Sequence, residues 1–406
     1  MVIMGWLNIF AAGYDEEVSK SVFDFSGTMT SAQRQMIFIG ASIILIVGIM
    51  VVDQRFFEAF GYVIFGAVIF LLVLVPIIGK EVGGNKSWIS IGTFGIQPSE
   101  FAKFATALAV AKFIGTVNFK IESLKAQLSL FGIIALPIAL TLIQKDFGTA
   151  LVFSAFILVF FREGMSPFLL IVGVVAAFIF VITLLVPDLL YLHAIIAIVL
   201  LFLIFFNRKK VKRIFVFAAA ALLLMGAIES VDYVVVNMLK PHHQNRIKAL
   251  IDPDSDPKGY GWNVTQSKIA IGSGGFTGKG FLQGTQTKFD FVPKQDTDFI
   301  FCTIGEEQGW IGSLLVIGLF VGFLLRLIYL AERQKQRFAR VFGYSAVCIF
   351  FFHFAINIGM TIGLFPVIGI PLPFFSYGGS GMIGFTVLLF ILLKLDSHRG
   401  QVLQRI

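Results

Sequence analysis

Long apolar runs separated by short polar turns dominate this chain. They fall near 36–52, 60–78, 99–115, 128–144, 147–161, 167–186, 190–206, 214–236, 310–331, 341–360 and 379–394. A helix that crosses a bilayer needs about 20 apolar residues, with a range of roughly 17 to 25. Each run therefore predicts a membrane-spanning helix, some of them short. Residues 1–12 are apolar but too few to span alone, and read as the outer half of a helix whose start is missing. Counting that piece gives about twelve spans. The predicted fold is all-α, a polytopic transmembrane helix bundle with a truncated first span, forming a single membrane domain over 1–406.

One long segment, 237–309, departs from this pattern and is rich in Gly, Asp, Lys and Gln. Loops of that length in compact proteins are usually functional or disordered. Its aromatics (Tyr260, Trp262, Phe276, Phe281, Phe289, Phe291) argue against disorder. Short helices and re-entrant pieces on the membrane surface are expected, because irregular backbone at membrane depth must be covered by protein or line a wet cavity.

Composition agrees: 57% of residues are hydrophobic and 14% charged, against roughly 25% charged in soluble domains. The net charge of +8 is placed by topology. Arg55, Lys120, Lys125, Arg162, the run 207–213, Arg333, Lys335, Arg337, Arg340, Lys394, Arg399 and Arg405 fall in alternate loops, while Asp15, Glu16, Glu17 and Asp24 lie opposite. The positive-inside rule then puts the C-terminus in the cytoplasm and 237–309 outside, as a large extracytoplasmic loop. No soluble module interleaves bases with stacking aromatics, which excludes nucleic acid as a partner. Cys302 and Cys348 lie in apolar stretches and read as buried side chains, without disulfide or metal spacing. The first twelve residues lack the basic flank of a cleavable signal peptide.

Ionisable residues within apolar spans are costly, and so are candidates for function. The run 97–103 (QPSEFAK) opens a helix: Pro98 suits the first turn, and Ser99 or Glu100 can cap it. Glu100 and Lys103 share a face and can pair; a lysine this far into an apolar helix also suits an anionic ligand or a wet cavity. Asp146, in the tight turn 144–149, is either a helix cap or a cavity carboxylate. The glycines of 269–286 do not make a phosphate-binding P-loop, since Ser273 and Gly280 stand where the motif needs Gly and Ser or Thr. In 291–307, Asp296 and Asp298 precede an apolar stretch, and Glu306 and Glu307 follow it. A carboxylate at the mouth of an apolar helix is partly desolvated, which strengthens it as a base. Asp296 or Thr297 serving only as a helix cap is the bland alternative. His242 and His243 read as solvated loop residues, and His353 as a hydrogen-bonded core residue.

These motifs resemble those of the RodA/FtsW proteins, the SEDS family of peptidoglycan glycosyltransferases. The resemblance covers nearly the whole chain: QPSEFAK at 97–103, DFGT at 146–149, DPDSDP at 252–257, QSKIAIGSGG at 266–275, TDFIF at 297–301 and PLPFFSYGGS at 371–380. The stretch 278–286 is more similar to the RodA (elongation) branch. What the family implies is polymerisation of lipid II into β-1,4-linked glycan, with release of undecaprenyl pyrophosphate. The setting would be the outer face of the bacterial cytoplasmic (inner) membrane. The family's essential aspartate falls on Asp298. Substrate-binding positions would be Trp88, Lys86, Glu100, Lys103, Asp146, Gln266, Ser267, Lys268, Thr297 and Ser376. The expected partners are lipid II, membrane lipids and a class B penicillin-binding protein. Lys103, Lys86, other loop bases or a divalent cation (Mg or Mn) would neutralise the pyrophosphate.

Three departures stand out. Asp296 replaces a frequent histidine. Ser87, with Lys86 before it, replaces an arginine that commonly precedes the tryptophan. An extra transmembrane hairpin is expected at 187–213. A flippase or transporter for lipid-linked sugars is the alternative, disfavoured because the halves lack matching broken helices. A non-catalytic scaffold would not need Asp298 beside Lys103 and Glu100.

Overall fold

The computed structural model describes residues 1–14, 29–82, 85–91, 94–116, 119–186, 188–207, 211–233, 237 and 260–400. Asp15, Glu16, Glu17, Asp24, the middle of the 207–213 run, His242, His243, the 252–257 motif and Arg405 lie outside the described residues. Among the described residues, eight helices are long and apolar enough to cross a membrane, making this a multi-pass membrane protein.

The chain divides into two compact units, Met1–Met165 with Thr265–Ile406, and Ser166–Val264. The smaller unit holds α8 (Phe168–Leu185), α9 (Leu189–Asn207) and α10 (Val211–Tyr233), with α10 packed against both others. Residues 187–213 thus contain one full helix, α9, whose hairpin partner is α10. Twenty-odd residues per span leave no room there for two.

The larger unit begins with α1 (Val2–Ala12), α2 (Ser31–Val51) and α3 (Gln54–Ile78). Next comes a small antiparallel sheet, β1 (Lys80–Val82), β2 (Asn85–Ile91) and β3 (Phe94–Ile96), in that order. It pairs Lys80 with Trp88 and Ser90 with Gly95. The apolar pattern gave no sign of this sheet. Then follow α4 (Pro98–Ile114), α5 (Leu124–Ile143), α6 (Phe147–Phe153) and α7 (Phe156–Arg162). The predicted span 147–161 is therefore two short helices. α11 (Tyr260–Ser273), α12 (Ile300–Glu332), α13 (Arg337–Thr361) and α14 (Gly379–Ser397) complete the chain.

α4 is the hub, packed against α3, α5, α13 and α14. Ala105, Ala107, Leu108, Ala109, Val110 and Ala111 are wholly buried. In lipid there is no hydrophobic drive between helices, so small side chains that let backbones approach closely hold such a bundle. The exposed apolar side chains of α2 and α3, among them Ile44, Val63 and Ile77, present a lipid-facing surface instead.

The two ends of this unit differ. At one end Glu163 is buried between Arg337 and Arg340, Arg162 meets Glu332, and Arg333 meets Asp396. At the other lie the starts of α2, α4, α6, α12 and α14 and the end of α13, together with most of the candidate residues.

α12 starts ten residues before the apolar run and is interrupted at Gly309 (φ 64°, ψ −157°). The break frees backbone groups, and the preceding loop takes them up. Trp310 and Ile311 donate to the carbonyls of Gly275 and Phe276, while Lys279 and Gly280 donate to those of Glu306 and Glu307. A Cβ at Gly309 would clash with the Gly278 nitrogen. Gly309→Ala should therefore destabilise the protein by at least about 1–3 kcal/mol, read as a lower thermal midpoint in detergent.

Candidate active site

Three buried polar knots meet at one end of the larger unit. The first is built on Asp146. After α5, Lys145 turns the chain with φ 61°, and Asp146 caps α6 by accepting the Thr149 N–H at 3.1 Å. Its Oδ2 also accepts from Thr149 Oγ1 (2.9 Å), Ser99 Oγ (3.1 Å) and Gln97 Nε2 (2.9 Å). Asp146 is thus both the cap and the tie between α6 and the start of α4. Ser99 and Glu100 do not cap α4, whose N-cap Gln97 makes no side-chain capping bond; their polar atoms are used elsewhere. The Gln97 N–H donates to Ser380 Oγ at 3.0 Å, joining α4 to α14.

The second knot lies one turn deeper. Lys103 Nζ donates to Glu100 Oε2 at 2.7 Å and meets His353 Nε2 at 2.9 Å, over the ring of Phe385. His353 Nδ1 lies 3.0 Å from the Pro371 carbonyl. A carbonyl only accepts, so Nδ1 carries the proton and Nε2 is the acceptor for Lys103. The lysine expected to face an anion or a wet cavity is instead buried between protein partners.

Asp298 belongs to the third knot. Lys294 (φ 57°) turns the chain, and its carbonyl accepts from the N–H groups of Thr297 and Phe299. Ser376 Oγ donates to the Thr297 carbonyl at 2.6 Å while accepting the Leu372 N–H. The Tyr377 N–H donates to the Asp296 carbonyl at 2.8 Å. The 370–378 loop thereby clamps 294–299 against the bundle. Asp298 is 14% exposed, and its Oδ2 lies 3.7 Å from the ammonium of Lys294, which is 62% exposed. Asp296 turns away and accepts from Ser31 Oγ at 2.9 Å. Neither Asp296 nor Thr297 caps α12, whose N-cap is Phe299. Gly148 abuts the carbonyls of Ile368 and Gly369, and a Cβ on Gly369 would stand 3.3 Å from Asp298 Oδ2. Gly148, two residues after Asp146, and Asp298 therefore flank the same short loop.

Other expected residues lie differently. Lys86 Nζ donates to the Pro76 carbonyl at 2.7 Å, near the end of α3. Trp88 covers Gly95, where a Cβ would sit 3.0 Å from its ring. On α11, Ser267 Oγ donates to the Thr361 carbonyl at 2.9 Å, Gln266 is buried and Lys268 is exposed. Glu306 holds the loop in place, since it receives the N–H groups of Thr285, Gln286 and Thr287, and Lys279 Nζ at 2.6 Å. Sequence reasoning passed over Lys294, Asn357 and Gly369. The four-residue spacing of Lys294 from Asp298 was the available signal for the first. Among the described residues, no three or more His, Cys, Asp or Glu side chains gather as a metal site.

The family model of cell cycle proteins (FtsW, RodA, SpoVE) matches residues 1–194 and 165–401, and the chain belongs to this family. It is 31% identical to the peptidoglycan glycosyltransferase RodA of Treponema pallidum (strain Nichols), over 98% of this chain and 95% of that protein. With the peptidoglycan glycosyltransferase MrdB of Escherichia coli K12 it shares 32% identity, over 90% and 86%. Among solved structures it is similar to one from work on structural coordination of polymerization and crosslinking by a peptidoglycan synthase complex. That match has a TM-score of 0.71 and 25% identity, and covers 99% of this chain and 96% of the other.

Glu100 and Lys103 are both buried, so removing one strands the other's charge. Lys103→Met should cost about 3–5 kcal/mol of stability, and adding Glu100→Gln should recover much of it. Thermal unfolding of the single and double variants in detergent checks this.

Proposed function

We propose that this protein is a RodA-type peptidoglycan glycosyltransferase that polymerises lipid II into β-1,4-linked glycan during cell elongation, releasing undecaprenyl pyrophosphate. One observation carries the assignment of the base: the Asp298 carboxylate is partly exposed at the mouth of α12, clamped by the 370–378 loop. The relatives named as peptidoglycan glycosyltransferases support the activity.

Asp298 takes the proton of the acceptor sugar's C4 hydroxyl as that oxygen bonds to the donor's anomeric carbon. The bond from that carbon to the pyrophosphate oxygen breaks, and its electron pair leaves with the lipid pyrophosphate. Direct displacement on an α-linked donor gives a β link. The leaving group needs charge neutralisation rather than a proton. Lys103 and Lys86 spend donors on protein acceptors. The exposed Lys294 ammonium, beside Asp298, is the better-placed cation.

The end carrying Arg162, Arg333, Arg337 and Arg340 faces the cytoplasm of a bacterial inner-membrane protein by the positive-inside rule. Asp298, at the opposite end, then faces outward, where lipid II polymerisation takes place. A class B penicillin-binding protein is the proposed partner. The similar chain studied in a complex that coordinates polymerization with crosslinking supports this.

Asp298→Asn should lower polymerisation by roughly 10²- to 10⁴-fold, while the protein stays folded and binds lipid II. Gel-resolved glycan products from purified protein check it. Wild-type product yield from that variant would remove the assigned base, and lipid translocation without any polymer from the wild type would make the protein a flippase.

A further inference from the structure

α13 carries His353 and Asn357 one turn apart, so both side chains lie on one face. That face meets the 369–372 loop twice: His353 at the Pro371 carbonyl, and Asn357 at the Ile370 carbonyl, to which Nδ2 donates at 2.7 Å. The second Nδ2 hydrogen goes to the backbone carbonyl of Asp298 at 2.8 Å. One amide group thus joins the residue proposed as base to the loop that walls it. Both acceptors are carbonyls, so chemistry fixes the orientation of the amide: flipped, its oxygen would face two oxygens. Asn357 is fully buried, and its Oδ1 has no hydrogen-bond partner among the described residues. An orphaned buried acceptor costs free energy. A leucine of similar size would avoid that cost, so packing alone does not account for an asparagine here.

The same contact sets a gap. Gly369 adopts φ +78° in the exposed part of the loop, and a Cβ on it would come within 3.3 Å of Asp298 Oδ2. Ile370, the next residue, is held by Asn357. Moving the Asp298 backbone relative to Ile370 would therefore move the carboxylate relative to Gly369 and to whatever sugar hydroxyl it must reach. Proton abstraction requires the base within hydrogen-bond reach of its proton, and small misplacements at a reacting centre cost turnover more than binding.

We propose that Asn357 is a positioning residue for Asp298, tying the backbone of the base to the 369–372 loop and so setting where its carboxylate stands. This rests on the reading of Asp298 as general base.

The test compares steady-state lipid II polymerisation by purified wild type, Asp298→Asn, Asn357→Leu and Gly369→Ala, each normalised to folded protein by size-exclusion and thermal unfolding. Asn357→Leu should lose on the order of tenfold or more in turnover while KM for lipid II stays within about twofold, the mark of an interaction made in the transition state. Gly369→Ala perturbs the same gap from the exposed side, without opening the core, and should show the same split. Wild-type turnover in both variants, alongside an inactive Asp298→Asn, overturns the positioning role and leaves the base assignment standing. An active Asp298→Asn overturns the base assignment and the positioning role with it. If Asn357→Leu does not fold, Gly369→Ala decides: a loss confined to turnover supports the proposal, and unchanged kinetics overturn it.

Discussion

Backbone hydrogen bonding at a helix break governs how this protein carries chemistry in an apolar solvent. No N–H or C=O at membrane depth can be left to lipid. α12 nevertheless breaks at Gly309, and the fold meets the requirement by laying 275–280 against the break in reciprocal backbone bonds. Glu306, on the turn before the break, then gathers the N–H groups of 285–287. One interruption in one helix thereby organises the described loop and delivers 294–299 to the mouth of α12. A continuous helix would have given the loop no backbone groups to pair with.

The same requirement explains why many of the polar residues come as shared knots. Asp146 satisfies two hydroxyls, an amide and a helix end; Lys103 is shared by a carboxylate and a neutral imidazole; Ser376 both donates and accepts. Partly satisfied polar groups in a low-dielectric core are worse than none. Within the third of these sets, the Asp298 carboxylate with its neighbour Lys294 is partly open to solvent. That exposure, rather than charge alone, sets it apart from the buried groups that hold the bundle.

Much of this was legible in the sequence. Continuous apolar runs gave the helices, because bilayer thickness fixes their length. The motifs of 97–103, 146–149, 297–301 and 371–380 marked segments that do converge. Which atom served which partner was not legible. Lys103 read as awaiting an anion because its acceptor His353 lies 250 positions away on another helix. The sheet at 80–96 was missed because strands as short as three residues leave too little alternation to register. Asn357 sat in a run that read only as a span. Its two carbonyl partners are backbone atoms, which have no residue identity for a sequence pattern to register.

Asp146 has a wider consequence. A carboxylate that fastens two helices and one that takes part in a reaction would give the same phenotype in a growth screen: cells that lose their shape. Scored by viability alone, this family's acidic residues would look equally indispensable. Only the amount of intact protein remaining in the membrane would separate a lost fastener from a lost reagent.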